Sequence, residues 1–238
     1  MAAAGKPTGT LSEEAFAGLV DALAADPDGS ARLIDLLHEA HPVYDGRGMA
    51  AIVRMRGWIL LALARPVLSD QALIFVLEEL DAGGDAYLVA AAARALRSHA
   101  QPNETFAPFV ARALARIRAH DEPVSFEHYG EYALSATGKT AVSELLATLA
   151  WLGPNARAVV PQLERWRAER GLSRTLRLDL DRTLRDIRAP ADSVPSCCEP
   201  LPDVGQGAVR RERSSLDTLV LQDQDGKSLR FADFFTGR

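Results

Sequence analysis

Apolar side chains recur every three or four residues along most of the chain, in segments of about 10–16 residues separated by short polar breaks. This period is that of an α-helix with one buried face. Ser12, Ser30 and Ser69 precede or open such segments, and each is predicted to cap a helix. No alternation typical of a β-strand occurs before residue 215. We therefore expect an all-α body over residues 12–188.

Three helical segments resemble one another: ILLALARP (59–66), AARALRSHAQP (92–102) and LLATLAWLGP (145–154). Each ends in a polar turn with a proline and is followed by a second amphipathic helix. Aligning them makes Leu63, Leu96 and Leu149 equivalent, at separations of 33 and 53 residues, and the extra length falls in 122–139. Self-similar helix–turn–helix units of this size predict a helical repeat array, in which neighbouring units bury each other's apolar faces.

The segment ELLATLAWLGPNARAVVPQLERWRAERGLSRTLRLDLDRTLRDI (144–187) resembles a HEAT repeat followed by the first helix of another. The matching residues are Leu149, Gly153 and Pro154 at the turn, Ala158 and Val159 at the opening of the second helix, and Pro161 and Leu163 within it. The resemblance implies that residues 12–188 form a right-handed HEAT-like α-α solenoid. HEAT-like arrays usually serve as binding scaffolds and rarely carry catalysis, so the resemblance favours a non-enzymatic function.

Composition and charge are consistent with a packed helical domain. Hydrophobic residues make up 47% of the chain and aromatics only 6%, so much of the apolar content is Ala and Leu. The net charge of −5 gives no reason to expect nucleic acid or an anionic membrane as the main partner. No apolar leader or membrane span is evident, which makes the cytoplasm the expected location.

The charges are unevenly distributed, and this suggests where a partner binds. Residues 1–89 hold 6 Lys/Arg against 13 Asp/Glu, whereas residues 157–188 hold 9 Arg against 5 Asp/Glu. We expect the contact surface on the inner helices at 50–64, 86–98 and 140–152, with 157–188 as a charged flank. The candidate partner-binding residues are Trp58, Arg94, Arg97, Trp151, Arg165 and Arg177. Two other interpretations of the arginines are ion pairs along the helix, which we favour, and a nucleic-acid surface like that of some HEAT-like glycosylases.

Two groups of residues are candidate metal ligands. His38 and His41 lie three apart near Asp35, Glu39 and Asp45. A HEAT-like di-iron hydroxylase family uses His-Glu pairs on several repeats, but this chain has one, at His38–Glu39, and a helix C-terminus favours histidine in any case. Adjacent thiols at Cys197 and Cys198 are suited to Cu or Zn, or to thiol exchange.

The end of the chain differs from the helical body. Residues 189–214 are rich in Pro and Gly and are predicted to be a flexible linker, and residues 1–11 a disordered N-terminus. LVLQDQDGKSLRF then predicts a β-hairpin within 215–238. It resembles the start of an SCO/SenC-type thioredoxin-like (redoxin) domain at Asp223, Asp225, Gly226, Phe231, Asp233, Phe235 and Gly237. The chain ends before the family's redox cysteines, so this tail is interpreted as a vestige or a truncation.

Three functions follow from these patterns. The first is a non-enzymatic protein-binding scaffold built from HEAT-like repeats. The second is an accessory or front part of a thioredoxin-like, SCO-type redox or copper-handling protein that uses Cys197 and Cys198, with a thioredoxin-like protein as partner. The third is a HEAT-like nucleic-acid binder or hydrolase, which is the least favoured.

Overall fold

The computed structural model describes residues 11–38, 40–65, 67–122, 124 and 139–190, and the backbone of 220–222 and 228–230. The described chain up to residue 190 is mostly helical, as the hydrophobic period predicts. The α-helices are α1 (Glu13–Ala25), α2 (Ser30–Leu37), α3 (Met49–Leu63), α4 (Asp70–Ala82), α5 (Ala86–Leu96), α6 (Ala107–Ile117), α7 (Ala141–Leu152), α8 (Val160–Arg167) and α9 (Arg174–Arg188). Short 3-10 turns cover Pro42–Tyr44, Glu104–Phe106 and Gly153–Val159, and the strands are β1 (Val220–Gln222) and β2 (Ser228–Arg230).

The helices begin where small polar side chains satisfy their first amides. The Ser12 hydroxyl accepts the Ala15 amide at 3.1 Å, and Ser69 does the same for α4. The prediction that Ser30 caps α2 is wrong, because Ser30 is the first helical residue and Gly29 holds the cap position without a side-chain bond. A Cβ on Gly29 would lie 2.0 Å from the Leu23 carbonyl oxygen, so this tight turn requires glycine where a capping side chain would otherwise stand.

The helices pack in two rows. The odd-numbered helices α1, α3, α5, α7 and α9 contact one another in chain order. The even-numbered helices α2, α4 and α6 do the same, and α6 then contacts the Gly153–Val159 turn that leads into α8. Each even helix also packs against an odd neighbour in sequence: α2 on α1 and α3, α4 on α5, α6 on α5 and α7, and α8 on α9. The two rows therefore bury one continuous apolar layer between them.

Helix α5 is the central element of this layer. It contacts α3, α4, α6 and α7, and every residue in it except Arg94 is buried. Four consecutive alanines, Ala90–Ala93, lie at its centre with no solvent exposure. Small side chains on all faces let the neighbouring helices approach α5 closely, which explains why a core with so few aromatics needs so much alanine.

Arginines join helices that are neighbours within a row. Arg54 of α3 makes a bidentate bond to Glu13 of α1, at 3.0 and 2.7 Å. Arg116 of α6 donates to three carbonyls at the C-terminal end of α4, those of Leu80, Asp81 and Gly83, at 2.8–3.0 Å. This guanidinium satisfies carbonyls that the helix leaves unbonded and places positive charge at the negative end of its dipole.

The two ends of the 122–139 segment are held together where α6 gives way to α7. The Val124 amide donates to the Lys139 carbonyl at 3.1 Å, and the Ala141 amide donates to the Glu122 carbonyl at 3.2 Å. The residues between 124 and 139 lie outside the described part of the chain. Residues 122 and 124 therefore lie beside residues 139 and 141.

A buried tyrosine fixes the loop that follows α2. The Tyr44 hydroxyl donates to the Leu36 carbonyl at 2.5 Å, and its ring is 6% exposed. Burial raises the pKa of the Tyr44 phenol, because the phenolate would lose its hydration, although the charges of Arg56 and Arg47 partly oppose this.

We expect Tyr44→Phe to lower the free energy of unfolding by about 1 kcal/mol at neutral pH, because the Leu36 carbonyl loses its donor. The raised folded-state pKa means that the unfolded chain releases the phenolic proton first. The stability that Tyr44 contributes is thus complete below about pH 10 and falls as the pH rises further. Urea denaturation at pH 8 and above pH 10 measures this: the wild type should lose more stability than Tyr44→Phe. An equal loss in both would contradict the assignment.

Two short backbone segments are described near the end of the chain, and the β-hairpin over 215–238 stays a prediction. The backbone of β1 pairs antiparallel with that of β2, with residue 221 opposite residue 229. Cys197 and Cys198 and the side chains of the tail lie outside the described residues. Within the described helices, none combines the length and the apolarity needed to cross a bilayer.

Candidate binding surface

Helix α9 closes the odd-numbered row. It packs on α7, on α8 and on the Gly153–Val159 turn. Its buried residues are Leu180, Thr183, Leu184 and Ile187. With 100° between successive residues of a helix, these side chains define the inward face. The opposite face of α9 points away from every described helix and is exposed.

Four residues form that outer face, which we call the α9 stripe: Arg174, Leu178, Arg182 and Arg185. Their spacing places them within about 80° of one another on the helix. Leu178 is 58% exposed, and arginines stand four residues before and four residues after it. A large apolar side chain thus lies in the middle of a row of guanidinium groups.

Two carboxylates around α9 are engaged by arginines outside the stripe. Asp181 pairs with Arg167 of α8 at 2.5 Å, and Glu164 of α8 pairs with Arg188. Within the described residues, no ion pair involves an arginine of the α9 stripe. Arg185 donates only to a backbone carbonyl, that of Asp181 at 3.4 Å. The positive charge of the stripe is therefore not neutralised by the neighbouring helices.

These ion pairs differ from the ones that spacing along the helix predicts. We expected the arginines of 157–188 to pair with acidic residues three or four positions away. The observed pairs instead join different elements: α8 to α9 in two cases, and α6 to the end of α8 through Arg118 and Glu169 at 2.6 Å. Arg118 also lies over the Trp166 ring, 5.0 Å from its centroid.

The other predicted partner-binding residues have varied positions. Trp58 is 2% exposed and packs near Phe16, which leaves almost none of its side chain for a partner to contact. Arg97 is bonded to Glu144 between α5 and α7. Trp151 is half-buried against the core. Arg94, Arg165 and Arg177 are exposed, and Arg165 donates to the Pro161 carbonyl at 3.3 Å.

The inner row therefore offers less free surface than expected. Along α5 only Arg94 is exposed, and along α7 only Ala147. Exposed residues are more frequent on the charged flank at 157–188. Leu178 was not singled out from the sequence, although the helical period contains the signal: Leu178 falls opposite Leu180 and Leu184, outside the apolar face of α9.

The two histidines proposed as metal ligands have local roles. The Nδ1 atom of His41 accepts the Val43 amide at 3.1 Å, and its Nε2 lies 3.8 Å from an Asp35 carboxylate oxygen. Burial lowers the pKa of His41, and the nearby carboxylates of Asp35 and Asp45 only partly offset this. The rings of His38 and Phe75 pack edge to face, with 5.3 Å between their centroids.

Among residues 11–190, apart from those outside the described ranges, no three His, Cys, Asp or Glu side chains cluster as a metal site would require. Cys197, Cys198 and Glu39 lie outside the described residues, so their predicted metal or redox role stays a prediction.

No family model, no curated protein and no solved structure matches the chain.

Proposed function

We propose that the protein is a non-enzymatic protein-binding scaffold, built as a right-handed HEAT-like α-solenoid over 12–188 with a β-hairpin tail. The two-row packing supports the solenoid, because each helix pair contacts chiefly the pairs beside it. The arginine bonds between neighbouring helices give such an array a fixed geometry. A fixed array offers a partner a preorganised surface.

The observation that carries the proposal is the exposed Leu178 within the α9 stripe. Interfaces commonly combine a central apolar anchor with arginine, and a row of unneutralised charges specifies the partner and speeds its association. The stripe lies on the side of α9 that faces away from the array, so a partner can reach it without displacing a helix. Arg177 extends this surface along one side.

Leu178→Glu is expected to abolish capture of the partner. The full-length chain serves as bait in lysate of its source cells, and the captured protein is then purified and bound directly. We expect Leu178→Glu to reduce recovery at least about tenfold, because it places a buried charge at an apolar anchor. Ile74→Glu is the matched control: Ile74 of α4 is also 58% exposed, and its variant should recover within about twofold of the wild type.

Two results would contradict the proposal. If both variants capture the same protein as well as the wild type, the α9 stripe is not the contact surface. If Cys197→Ser/Cys198→Ser removes capture while Leu178→Glu does not, the redox or copper-handling alternative replaces the scaffold. Circular dichroism of each variant shows whether the helical content is unchanged, as the exposure of both residues predicts.

A further inference from the structure

We propose that the α9 stripe recognises an acidic protein segment whose apolar side chain covers Leu178. This inference rests on the proposed scaffold function and names the chemical class of its partner. It is carried by charge, spacing and exposure at one surface of the described chain.

The charge at this surface selects a negative partner. Arg174, Arg182 and Arg185 occupy 11 helix steps, or about 16 Å at 1.5 Å per residue. The carboxylate of Asp181 is held by Arg167, and that of Glu164 by Arg188. The three arginines are exposed, and among the described residues none of them is in an ion pair, so each can bind an incoming carboxylate.

The leucine selects a protein in place of a nucleic acid. A sugar–phosphate backbone offers charge but no aliphatic group to cover an exposed Leu178, and a leucine among phosphate contacts would stay in water. A protein segment with one apolar side chain amid Asp or Glu satisfies both features at once. Successive residues of the stripe are four, four and three positions apart. Carboxylates at the same helical spacing on the partner therefore match the arginines best.

Fluorescence anisotropy with defined probes tests the inference on the full chain. The first probe is a labelled peptide of about 15 residues with Glu at helical spacing and one central Leu. The second replaces that Leu by Ser, and the third is a single-stranded oligonucleotide of equal charge. Titrations run at about 50 mM and about 200 mM NaCl, because contacts between exposed charges weaken with salt.

Two charge-matched variants separate this surface from bulk electrostatics. Arg174→Gln/Arg182→Gln/Arg185→Gln changes the net charge by −3 at the stripe. The control, Ala31→Glu/Gln71→Glu/Ala115→Glu, changes it by −3 at exposed positions of α2, α4 and α6. We expect the stripe variant to weaken binding of the Leu peptide at least about tenfold and the control at most about twofold. The Ser peptide should bind the wild type several-fold more weakly than the Leu peptide.

The inference is overturned if the oligonucleotide binds more tightly than the Leu peptide, or if both variants weaken peptide binding equally. It is also overturned if sedimentation velocity shows self-association of the wild type that the stripe variant abolishes. Absence of peptide binding would also overturn it. If Leu178→Glu then still loses the captured protein, the scaffold stands with a partner of other chemistry. If the Leu peptide does not bind and Leu178→Glu does not reduce capture, the proposed scaffold function and the proposed acidic partner are both contradicted.

Discussion

Glu144→Ala is expected to lower the free energy of unfolding by about 3 kcal/mol. The Glu144 side chain is 6% exposed, and its carboxylate lies 2.5 Å from Nη2 of Arg97, which is 24% exposed. Arg97 Nη1 also donates to the Glu144 carbonyl at 3.0 Å and to the Thr148 hydroxyl at 2.9 Å. Removing the carboxylate leaves a largely buried guanidinium without its counter-ion, between α5 and α7.

A double-mutant cycle with Arg97→Met separates the energy of the ion pair from the loss of packing. Because Arg97→Met/Glu144→Ala removes both charges, it should cost less stability than the sum of its two single variants, with a coupling of at least about 1 kcal/mol. Glu14→Ala, on the exposed side of α1, should change stability by at most about 0.5 kcal/mol. Urea unfolding at fixed pH measures all four. A Glu144→Ala cost as small as that of Glu14→Ala would show that the buried pair contributes nothing net.

Gly57→Ala and Gly18→Ala should change stability in opposite directions. A Cβ on Gly57 would lie 2.3 Å from Cε1 of the Tyr87 ring, and that ring is 5% exposed with little room to move. Gly18 is exposed in α1, and a Cβ there meets nothing within 4 Å. Alanine in a helix interior is intrinsically favoured over glycine by about 0.5–1 kcal/mol. The contact with Tyr87 must outweigh this gain at position 57.

We therefore expect Gly57→Ala to destabilise the protein by about 1–2 kcal/mol and Gly18→Ala to stabilise it by about 0.5–1 kcal/mol. Thermal and urea unfolding of the two single variants measure both signs. A stabilising Gly57→Ala would mean that α3 and α5 are farther apart than Gly57 and Tyr87 indicate.

The sequence predicts the helices well because their signals are local. The apolar period and the capping serines lie within one helix, so Ser12 and Ser69 could be assigned without knowing any neighbour. Ser30 was misassigned because Gly29 is required by a contact with the Leu23 carbonyl, which only the folded turn creates. Sequence rules for helix caps fail where an atom of another helix, here the Leu23 carbonyl of α1, determines which residue fits.

The candidate surface shows the same limit. The positive flank at 157–188 was evident from residue counts, but the free arginines were not, because their carboxylate neighbours bond across helices. Arg188 meets Glu164 at 24 positions' separation, and Arg118 meets Glu169 at 51. Trp58 was assigned to the surface because amino-acid type carries no information on which side of an inner helix is covered.

The burial of α5 determines how the array can come apart. A row of repeats that touch only their neighbours can open from either end, one unit at a time. Because α5 contacts α3 and α4 on one side and α6 and α7 on the other, opening cannot pass α5 without breaking its contacts with both sides. Fraying is thus confined to the outer units, such as α9, and the protein between them melts as one cooperative body.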